Sequence, residues 1–276
     1  QDLPTQKLKM PFLNPQNGPI MIAGAEKGDA LAVYIESMVP RGPNPRGTCC
    51  MIPEFGALTG TYYTATLNDP LPEVDAFIDI CLTTGAGVVV LAAATGVDGY
   101  DDRPVLDELQ WKTLLANLDR LADHAAERGV VAVIHPHIGT LVESAEDVQR
   151  VVDGSHIGFC IDTGHLAAAG ADPVAITIAN LDRVKHVHLK DVDAAIAAKV
   201  ISKEITFSEA VAAGMWRVLG TGDVDITAMV GALKTSGYEG WYVLEQDVMF
   251  KDGAPEGEGP IADVRACLAY VESVLA

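Results

Sequence analysis

The sequence predicts an α/β protein with a parallel sheet, preceded by a segment of strands and loops, and three observations support this. After about residue 74, extended and helical patterns alternate, which favours a parallel sheet covered by helices. Runs such as Gly87–Ala93 (GVVVLAA) are apolar on both faces, as expected for strands buried on both sides. Ten of the 15 prolines lie in residues 1–72, so the first region is expected to consist of short extended segments and turns, unlike the second.

The composition argues against several classes of function. With 19 basic and 38 acidic side chains among 276 residues, the formal charge is −19 at pH 7, which disfavours binding to nucleic acid or anionic membranes. The longest apolar stretch, Val88–Ala94, falls far short of the roughly 18 residues of a membrane span. No signal-peptide pattern opens the chain, and its five cysteines lack C-x-x-C spacing. We therefore expect a globular cytoplasmic protein with reduced thiols.

The first region, residues 1–73, has the pattern of strands and loops. Alternating apolar residues predict short strands at Pro19–Ala23 and Ala30–Met38, with a turn-rich segment between them. Arg41–Gly47 (RGPNPRG) cannot form a helix, because proline lacks the amide hydrogen and biases the preceding residue towards extended geometry. We place the boundary with the second domain, residues 74–276, close to Val74.

Five strands alternating with helices are predicted in the second region. The expected strands are Gly87–Ala93, Val130–His135, Ile157–Asp162, Val184–Leu189 and Gly240–Glu245. The expected helices are Val74–Thr84, Asp107–Arg128, Ala145–Val152, one that opens at Asp172, Ile226–Thr235 and Ile261–Leu275. Leucines at helical spacing followed by Gly129 define the second helix, and proline in the first turn supports the fourth.

Each of the last four strands finishes in residues with metal-ligand or acid–base chemistry. Loops that follow parallel strands meet at one end of the sheet, where α/β proteins bind their ligands. Histidines two positions apart on a strand point to the same face. Mixed nitrogen and oxygen ligands suit Mn²⁺, Co²⁺, Zn²⁺ or Fe²⁺, and an oxygen-rich set suits Mg²⁺. The residues concerned are His135, His137, Asp162, His165, His186, His188, Lys190, Asp191, Glu245 and Asp247.

Each of these residues also has a structural interpretation. A single histidine at a strand end is more often a hydrogen-bonded structural residue than a ligand. Asp162 with the Thr-Gly that follows could form an ordinary turn, Lys190–Asp191 could be a surface pair, and Asp247 could be a solvated loop residue. Recurrence at four successive strand ends favours a shared polar site over these separate explanations.

Other features of the second region are interpreted as structural. Trp111 lies at helical spacing with leucines and is expected in the core, and Trp241 is expected to open the last strand and pack there. The segment Gly220–Asp223 lacks the lysine and the strand–helix placement of a phosphate-binding loop, so we expect a flexible loop beside the site.

Residues from about 74 to 276 resemble the sugar phosphate isomerase/epimerase superfamily, the xylose isomerase-like TIM barrels, and within it the inosose dehydratases. The segments that carry the resemblance occur in the same order and spacing. They are TGVDGYDDRPVLDELQW (95–111), HPHIGTLVESAEDV (135–148), CIDTGHLAAAGADP (160–173), HVHLKDV (186–192) and GYEGWYVLEQD (237–247).

The resemblance implies a divalent metal ion (Mn²⁺, Co²⁺, Mg²⁺ or Zn²⁺) held by residues from strands five to eight of the barrel. Asp162, His188 and Glu245 match three of the four ligand positions. At the other position this sequence has His135 where glutamate is commonest, and spacing leaves His135 and His137 open as alternatives. The substrate-binding or proton-transfer groups would then be Glu143, His165 and Lys190. In the expected reaction, His165 or Glu143 is the base, and His137 or Lys190 is the acid.

Residues 1–73 resemble a fragment of a different family, the acetamidases/formamidases. The resemblance is carried by QKLKMPFLNPQNGPIMIAGAEKGDALAVYIESMVPRGPNPRG and MIPEFGALTGTYYTATLNDPLPE. The five strands of the second region correspond to strands four to eight of an eight-stranded barrel. The expected fold is therefore an incomplete TIM-barrel-like sheet of about five βα units with two exposed edges.

The leading functional hypothesis is a metal-dependent isomerase, epimerase or dehydratase that acts on a polyol or keto-sugar through an enediolate. One alternative is amide hydrolysis of acetamide or formamide by the first region, and another is an inactive fusion that retains metal binding. No nucleic-acid or membrane partner is expected. Formation of a homo-oligomer is left open, because unpaired sheet edges favour association.

Overall fold

A curled parallel sheet lies at the centre of the computed structural model, which describes residues 71–97, 99–249 and 260–276. Its strands are β1 (Val88–Leu91), β2 (Val131–Ile134), β3 (Gly158–Asp162), β4 (Val184–Leu189) and β7 (Tyr242–Leu244). They lie in the order β1-β2-β3-β4-β7, and every neighbouring pair is parallel. The predicted α/β fold with an incomplete barrel of five strands is confirmed.

The six predicted helices are present, and the segments between strands contain further short elements. The predicted helices are α1 (Leu71–Thr84), α2 (Glu108–Glu127), α3 (Ala145–Gly154), α5 (Pro173–Ala179), α8 (Ile226–Thr235) and α9 (Pro260–Leu275). The elements that were not predicted are α4 (Thr163–Ala168), α6 (Ala194–Ile201), α7 (Phe207–Ala212) and an antiparallel pair, β5 (Asp191–Val192) with β6 (Trp216–Arg217).

Side-chain caps determine where several helices begin. Asp107 accepts from the Gln110 amide while the Gln110 side chain accepts from the Asp107 amide, a capping box that starts α2. Ser144 and Asp147 form the same arrangement at α3. At α4 the cap is Asp162, the last residue of β3, so strand and helix join without a loop.

The hydrophobic core lies between the sheet and the helices that cover it. Phe159 and Ile161 of β3 and Leu114 of α2 are completely buried, and Trp111 packs with them as predicted. The prediction for Trp241 is wrong, because this side chain is 75% exposed and precedes β7. The Tyr238 hydroxyl donates to the carbonyl of Trp241 at 3.0 Å.

Within the described residues, β1 and β7 are the edges of the sheet, in agreement with the expected incomplete barrel. Among the described helices, none is both long enough and apolar enough to cross a bilayer. The predicted strands Pro19–Ala23 and Ala30–Met38 lie outside the described residues, as does nearly all of the acetamidase-like region 1–73. These expectations, and the boundary near Val74, stay predictions.

Candidate metal centre

The register of the sheet brings the polar strand ends together. In the β3–β4 pair, Asp162 is directly opposite His188. The β4–β7 register ends one residue before Glu245, whose amide donates to the carbonyl of Leu189 at 3.2 Å. His135 follows β2 directly. Because all these strands are parallel, the four side chains meet at the carboxyl end of the sheet, where TIM-barrel active sites lie.

Three of the predicted ligands place their donor atoms around one point. Ligand atoms of Asp162, His188 and Glu245 lie within 4.8 Å of one another. Asp162 Oδ2 is 3.6 Å from both His188 Nδ1 and His135 Nε2, and Glu245 Oε1 is 3.1 Å from His188 Nδ1. The imidazole nitrogen of His135 therefore enters the cluster.

The chemistry of this set fits a divalent cation. Asp162 Oδ2, His188 Nδ1 and His135 Nε2 are buried and have no hydrogen-bond partner. Buried polar atoms in proteins are almost always satisfied, because leaving them unpaired is costly. A metal ion held by the two nitrogens and the carboxylates would satisfy all three atoms at once, with donor types that suit Mn²⁺, Co²⁺ or Zn²⁺.

Asp162 combines a structural and a potential ligand role. Its Oδ1 accepts from the amide of His165 at 2.8 Å and caps α4, which leaves Oδ2 directed at the cluster. Burial by itself acts to raise the pKa of Asp162, but His165, His135 and His188 outweigh it and hold the pKa well below its ordinary value. The completely buried side chain is therefore a charged carboxylate.

His137 and His165 stack on each other beside the cluster, with ring centroids 3.5 Å apart. His137 Nδ1 lies 2.6 Å from the carbonyl of Ile138 and must donate to it, which leaves the Nε2 lone pair free as an acceptor. Burial, assisted by His135, lowers the pKa of His137 to about 4. His137 is therefore neutral at pH 7, with an unprotonated Nε2.

His165 has the same tautomer as His137, but its engaged nitrogen is Nε2 and its uncommitted nitrogen is Nδ1. Its Nε2 lies 3.2 Å from the Lys190 ammonium, which donates, so the ring proton belongs on Nδ1. This Nδ1 is buried without a hydrogen-bond partner. Burial holds the pKa of His165 well below its ordinary value, so the neutral ring offers one N–H donor.

Lys190 is buried beside the cluster, with its side chain only 1% exposed. Its ammonium donates to Glu245 Oε2 and Asp247 Oδ2, both at 2.7 Å, and lies 4.8 Å from the Trp216 ring centroid. Burial acts to lower the pKa of Lys190, but Asp162, Glu245 and Asp247 outweigh it and raise the pKa. Lys190 is thus no surface residue, and Asp247, although half-exposed, is more than a solvated loop residue.

The contacts described for Glu143 are with residues outside this cluster. Its carboxylate accepts from the Gly139 amide at 2.6 Å and lies 3.7 Å from the Arg103 guanidinium. These contacts order the loop after β2. The predicted role of Glu143 in proton transfer stays a prediction.

Three aromatic residues beside the histidines were not singled out from the sequence. Tyr100 packs 5.8 Å from the His137 ring and 4.7 Å from Phe207, and Trp216 lies 5.3 Å from His165. Tyr100 belongs to segment 95–111, one of those that carry the family resemblance, so the sequence offered a signal by which this residue could have been found. Phe207 and Trp216 come from the connection between β4 and α8, and nothing local marks them.

The glycine-rich segment is not a flexible loop, contrary to the prediction. Asp191 is completely buried, and its carboxylate accepts from the amides of Gly220, Gly222 and Val224 at 2.9, 2.9 and 3.1 Å. A Cβ on Gly222 would lie 2.3 Å from Asp191 Oδ1, so glycine is required for this approach. The backbone amides bind an internal carboxylate where a phosphate loop would bind a ligand.

Two further polar side chains lie on the same face of the sheet. Cys160, opposite His186 in the β3–β4 register, is two residues before Asp162. Burial raises the pKa of the Cys160 thiol, which disfavours the thiolate that metal binding needs, and burial lowers the pKa of His186. Cys160 and His186 are therefore weaker candidates for metal ligands than Asp162, His188 and Glu245.

Comparison with known proteins agrees with the fold. The family model of the xylose isomerase-like TIM barrel matches residues 69–269. The chain is 36% identical over 179 residues to an inosose dehydratase of Geobacillus thermodenitrificans, covering 61% of this chain and 60% of that protein. It is 33% identical over 205 residues to an inosose dehydratase of Lacticaseibacillus casei, covering 69% of each. The chain thus spans about three fifths of the length of the first relative.

Solved structures show the same fold at lower identity. The IolI protein with a bound zinc atom aligns with a TM-score of 0.54 at 18% identity, covering 74% of this chain and 68% of that one. An L-ribulose 3-epimerase aligns with a TM-score of 0.54 at 16% identity, covering 73% and 65%. With the family model matching more than half of its residues, the chain belongs to the xylose isomerase-like TIM barrel family.

Proposed function

We propose that this protein is a metal-dependent isomerase, epimerase or dehydratase of a polyol or keto-sugar, with inosose-like compounds as the first candidates. The observation that carries the proposal is the convergence of Asp162, His188 and Glu245 within 4.8 Å, where the buried atoms Asp162 Oδ2 and His188 Nδ1 make no hydrogen bond. The inosose dehydratase relatives support the substrate class, and the zinc-bound neighbour supports a divalent metal.

The proposed ligands are His135, Asp162, His188 and Glu245. A divalent ion bound there would supply a Lewis acid that polarises a substrate carbonyl. The polarised carbonyl makes the adjacent carbon–hydrogen bond more acidic. Asp162 would hold the ion from a completely buried position, whereas Glu245 is 29% exposed.

The two stacked histidines have complementary roles in this proposal. His137 accepts the proton next to the carbonyl at Nε2, because its Nδ1 is committed to the carbonyl of Ile138. His165 donates a hydrogen bond from Nδ1 to a substrate oxygen, because its Nε2 accepts from Lys190. Loss of the proton leaves an enediolate on the substrate, from which either reprotonation or loss of a neighbouring hydroxyl follows.

The metal centre is tested with the full chain by metal analysis after removal and return of Mn²⁺, Co²⁺ or Zn²⁺. Removing a group that only orients a ligand costs 10- to 100-fold in affinity, so Asp162→Ala and Glu245→Ala should each cost more than about 100-fold. Asp182→Ala removes an exposed carboxylate at the opposite end of β4 and should leave binding unchanged. Unchanged stoichiometry in both ligand variants would overturn the centre.

The chemistry is tested on a panel of inososes and ketoses in deuterated water, following both exchange of the proton next to the carbonyl and product formation. His137→Gln should slow exchange by about 10²- to 10⁴-fold, the usual contribution of a general base, while metal binding is retained. His156→Gln, an exposed histidine paired with Asp119 and Asp123, is the matched control.

The outcomes separate the alternatives. Equal exchange in wild type and His137→Gln would contradict the assigned base. Metal binding without exchange or conversion across the whole panel would favour an inactive fusion. Ammonia release from formamide would favour the acetamidase-like hypothesis, and we expect none.

A further inference from the structure

Two groups of potential metal ligands overlap at Glu245. The first is the set of Asp162, His188 and Glu245 described above. The second consists of His165, Glu245 and Asp247, whose ligand atoms also lie within 4.8 Å of one another. Glu245 directs Oε1 towards the first group and Oε2 towards the second. This is the arrangement of a carboxylate that bridges two cations.

The second group already surrounds a cation, the Lys190 ammonium. Nζ lies 2.7 Å from Glu245 Oε2, 2.7 Å from Asp247 Oδ2 and 3.2 Å from His165 Nε2. An ammonium has three N–H donors, so these three acceptors use all of them. The Trp216 ring, 4.8 Å from Nζ, adds an aromatic face. No donor of Lys190 is left over for a substrate.

The local sequence Asp162-Thr-Gly-His is built around this lysine. The Thr163 hydroxyl accepts from the Lys190 amide at 2.8 Å and donates to the Lys190 carbonyl at 2.6 Å, which holds the backbone. A Cβ on Gly164 would lie 2.5 Å from Lys190 Cγ, so glycine leaves room for the side chain. His165 then accepts from Nζ. Three consecutive residues thus place one ammonium at one point.

We infer that the Lys190 ammonium occupies the position of a second metal ion, so that the site binds one divalent cation with Glu245 bridging the ion and the lysine. Lys190 is therefore a positioning residue. It orients Glu245 and fills a group of ligands that would otherwise attract a second divalent ion. This inference rests on the proposed metal centre.

The test is a titration of the metal-free full chain with Mn²⁺, read by bound metal per chain and by electron paramagnetic resonance. Wild type should bind one equivalent. Lys190→Met removes the charge at similar length and should bind two, with a spectrum broadened by coupling between neighbouring ions. Lys190→Met combined with Asp247→Asn should return to one equivalent. Lys185→Met, an exposed lysine on β4, is the matched control and should bind one.

The results distinguish this inference from the proposed function. Two equivalents in wild type, or one in a folded Lys190→Met, would overturn the inference and leave the metal centre intact. No binding to either protein would overturn both. If Lys190→Met is unfolded without metal, it should regain the wild-type circular dichroism spectrum as two equivalents of Mn²⁺ bind. Failure to recover would count against the inference, because a divalent ion must be able to replace the ammonium.

Discussion

Replacing Asp191 by asparagine is expected to destabilise the fold strongly, although the two side chains have nearly the same size. The buried carboxylate accepts four backbone hydrogen bonds, two at each oxygen. Oδ1 accepts from Val192 and Val224, and Oδ2 accepts from Gly220 and Gly222. Asparagine accepts at only one of its two terminal atoms, since the other is an amide donor. Two backbone N–H groups would then face another donor.

The magnitude follows from the two lost bonds. A hydrogen bond to a charged group contributes about 1.5–3 kcal/mol, so their loss predicts a fall of about 3–6 kcal/mol in the free energy of unfolding. The loop packs closely on the carboxylate, since a Cβ at Gly222 would lie 2.3 Å from Oδ1. This leaves little room for a water molecule to replace the lost acceptor. The expected loss is a large part of the roughly 5–15 kcal/mol of a typical domain.

The assay is urea unfolding of the full chain, followed by tryptophan fluorescence and circular dichroism. Asp223→Asn is the control, because this exposed side chain in the same loop accepts a single bond, from the Ala194 amide at 2.8 Å. Its effect should stay below about 1 kcal/mol. If Asp191→Asn lowers the free energy of unfolding no more than Asp223→Asn does, at equal denaturant dependence, the carboxylate is not the anchor of this loop.

Two further substitutions test the packing around the site. Gly139→Ala should lower stability by about 1–3 kcal/mol and displace Tyr100 from the His137 ring, because φ is +75° and the added Cβ would lie 2.7 Å from Tyr100 Cα. Thermal melts should show no such loss for Gly231→Ala, where nothing lies within 4 Å, and equal losses would contradict the reasoning. Phe159→Ala should cost about 3–5 kcal/mol, because the ring is completely buried and lies under the Arg183 guanidinium at 4.7 Å. Val105→Ala, at a side chain that is 95% exposed, should change stability by less than about 0.5 kcal/mol, and similar urea midpoints for the two would refute the core assignment.

Local patterns were sufficient to predict the sheet and the metal-ligand candidates. Apolar runs between helical segments identify five strands, and their parallel order brings their carboxyl ends together. The polar strand ends thus placed Asp162, His188 and Glu245 among ten candidates for one shared site, and the family resemblance then singled out these three as expected metal ligands. The structure also separates His135 from His137, which spacing alone could not do, because the nitrogen of His135 faces Asp162 while His137 bonds to a neighbouring carbonyl.

The elements that were missed are all short, with eight residues or fewer. Helix α4 begins directly at Asp162 and has only six residues, and β5 and β6 have two residues each, so neither periodicity nor composition marks them. The aromatic contacts of Trp216 and Phe207 were missed for the same reason, since both side chains lie in the connection between β4 and α8, which consists of such short elements.

Lys190 and Asp191 illustrate the division between sequence and tertiary structure. The sequence by itself determined that two charged residues follow a buried strand beside the ligand candidates, since strand alternation and the order of elements are local properties. Only the tertiary structure determined which residues they contact. Lys190 meets Asp247, 57 positions away, while Asp191 meets Gly220, 29 positions away. Successive side chains of an extended chain point to opposite faces, so what each one contacts depends on segments that are distant in sequence and close only in the folded protein.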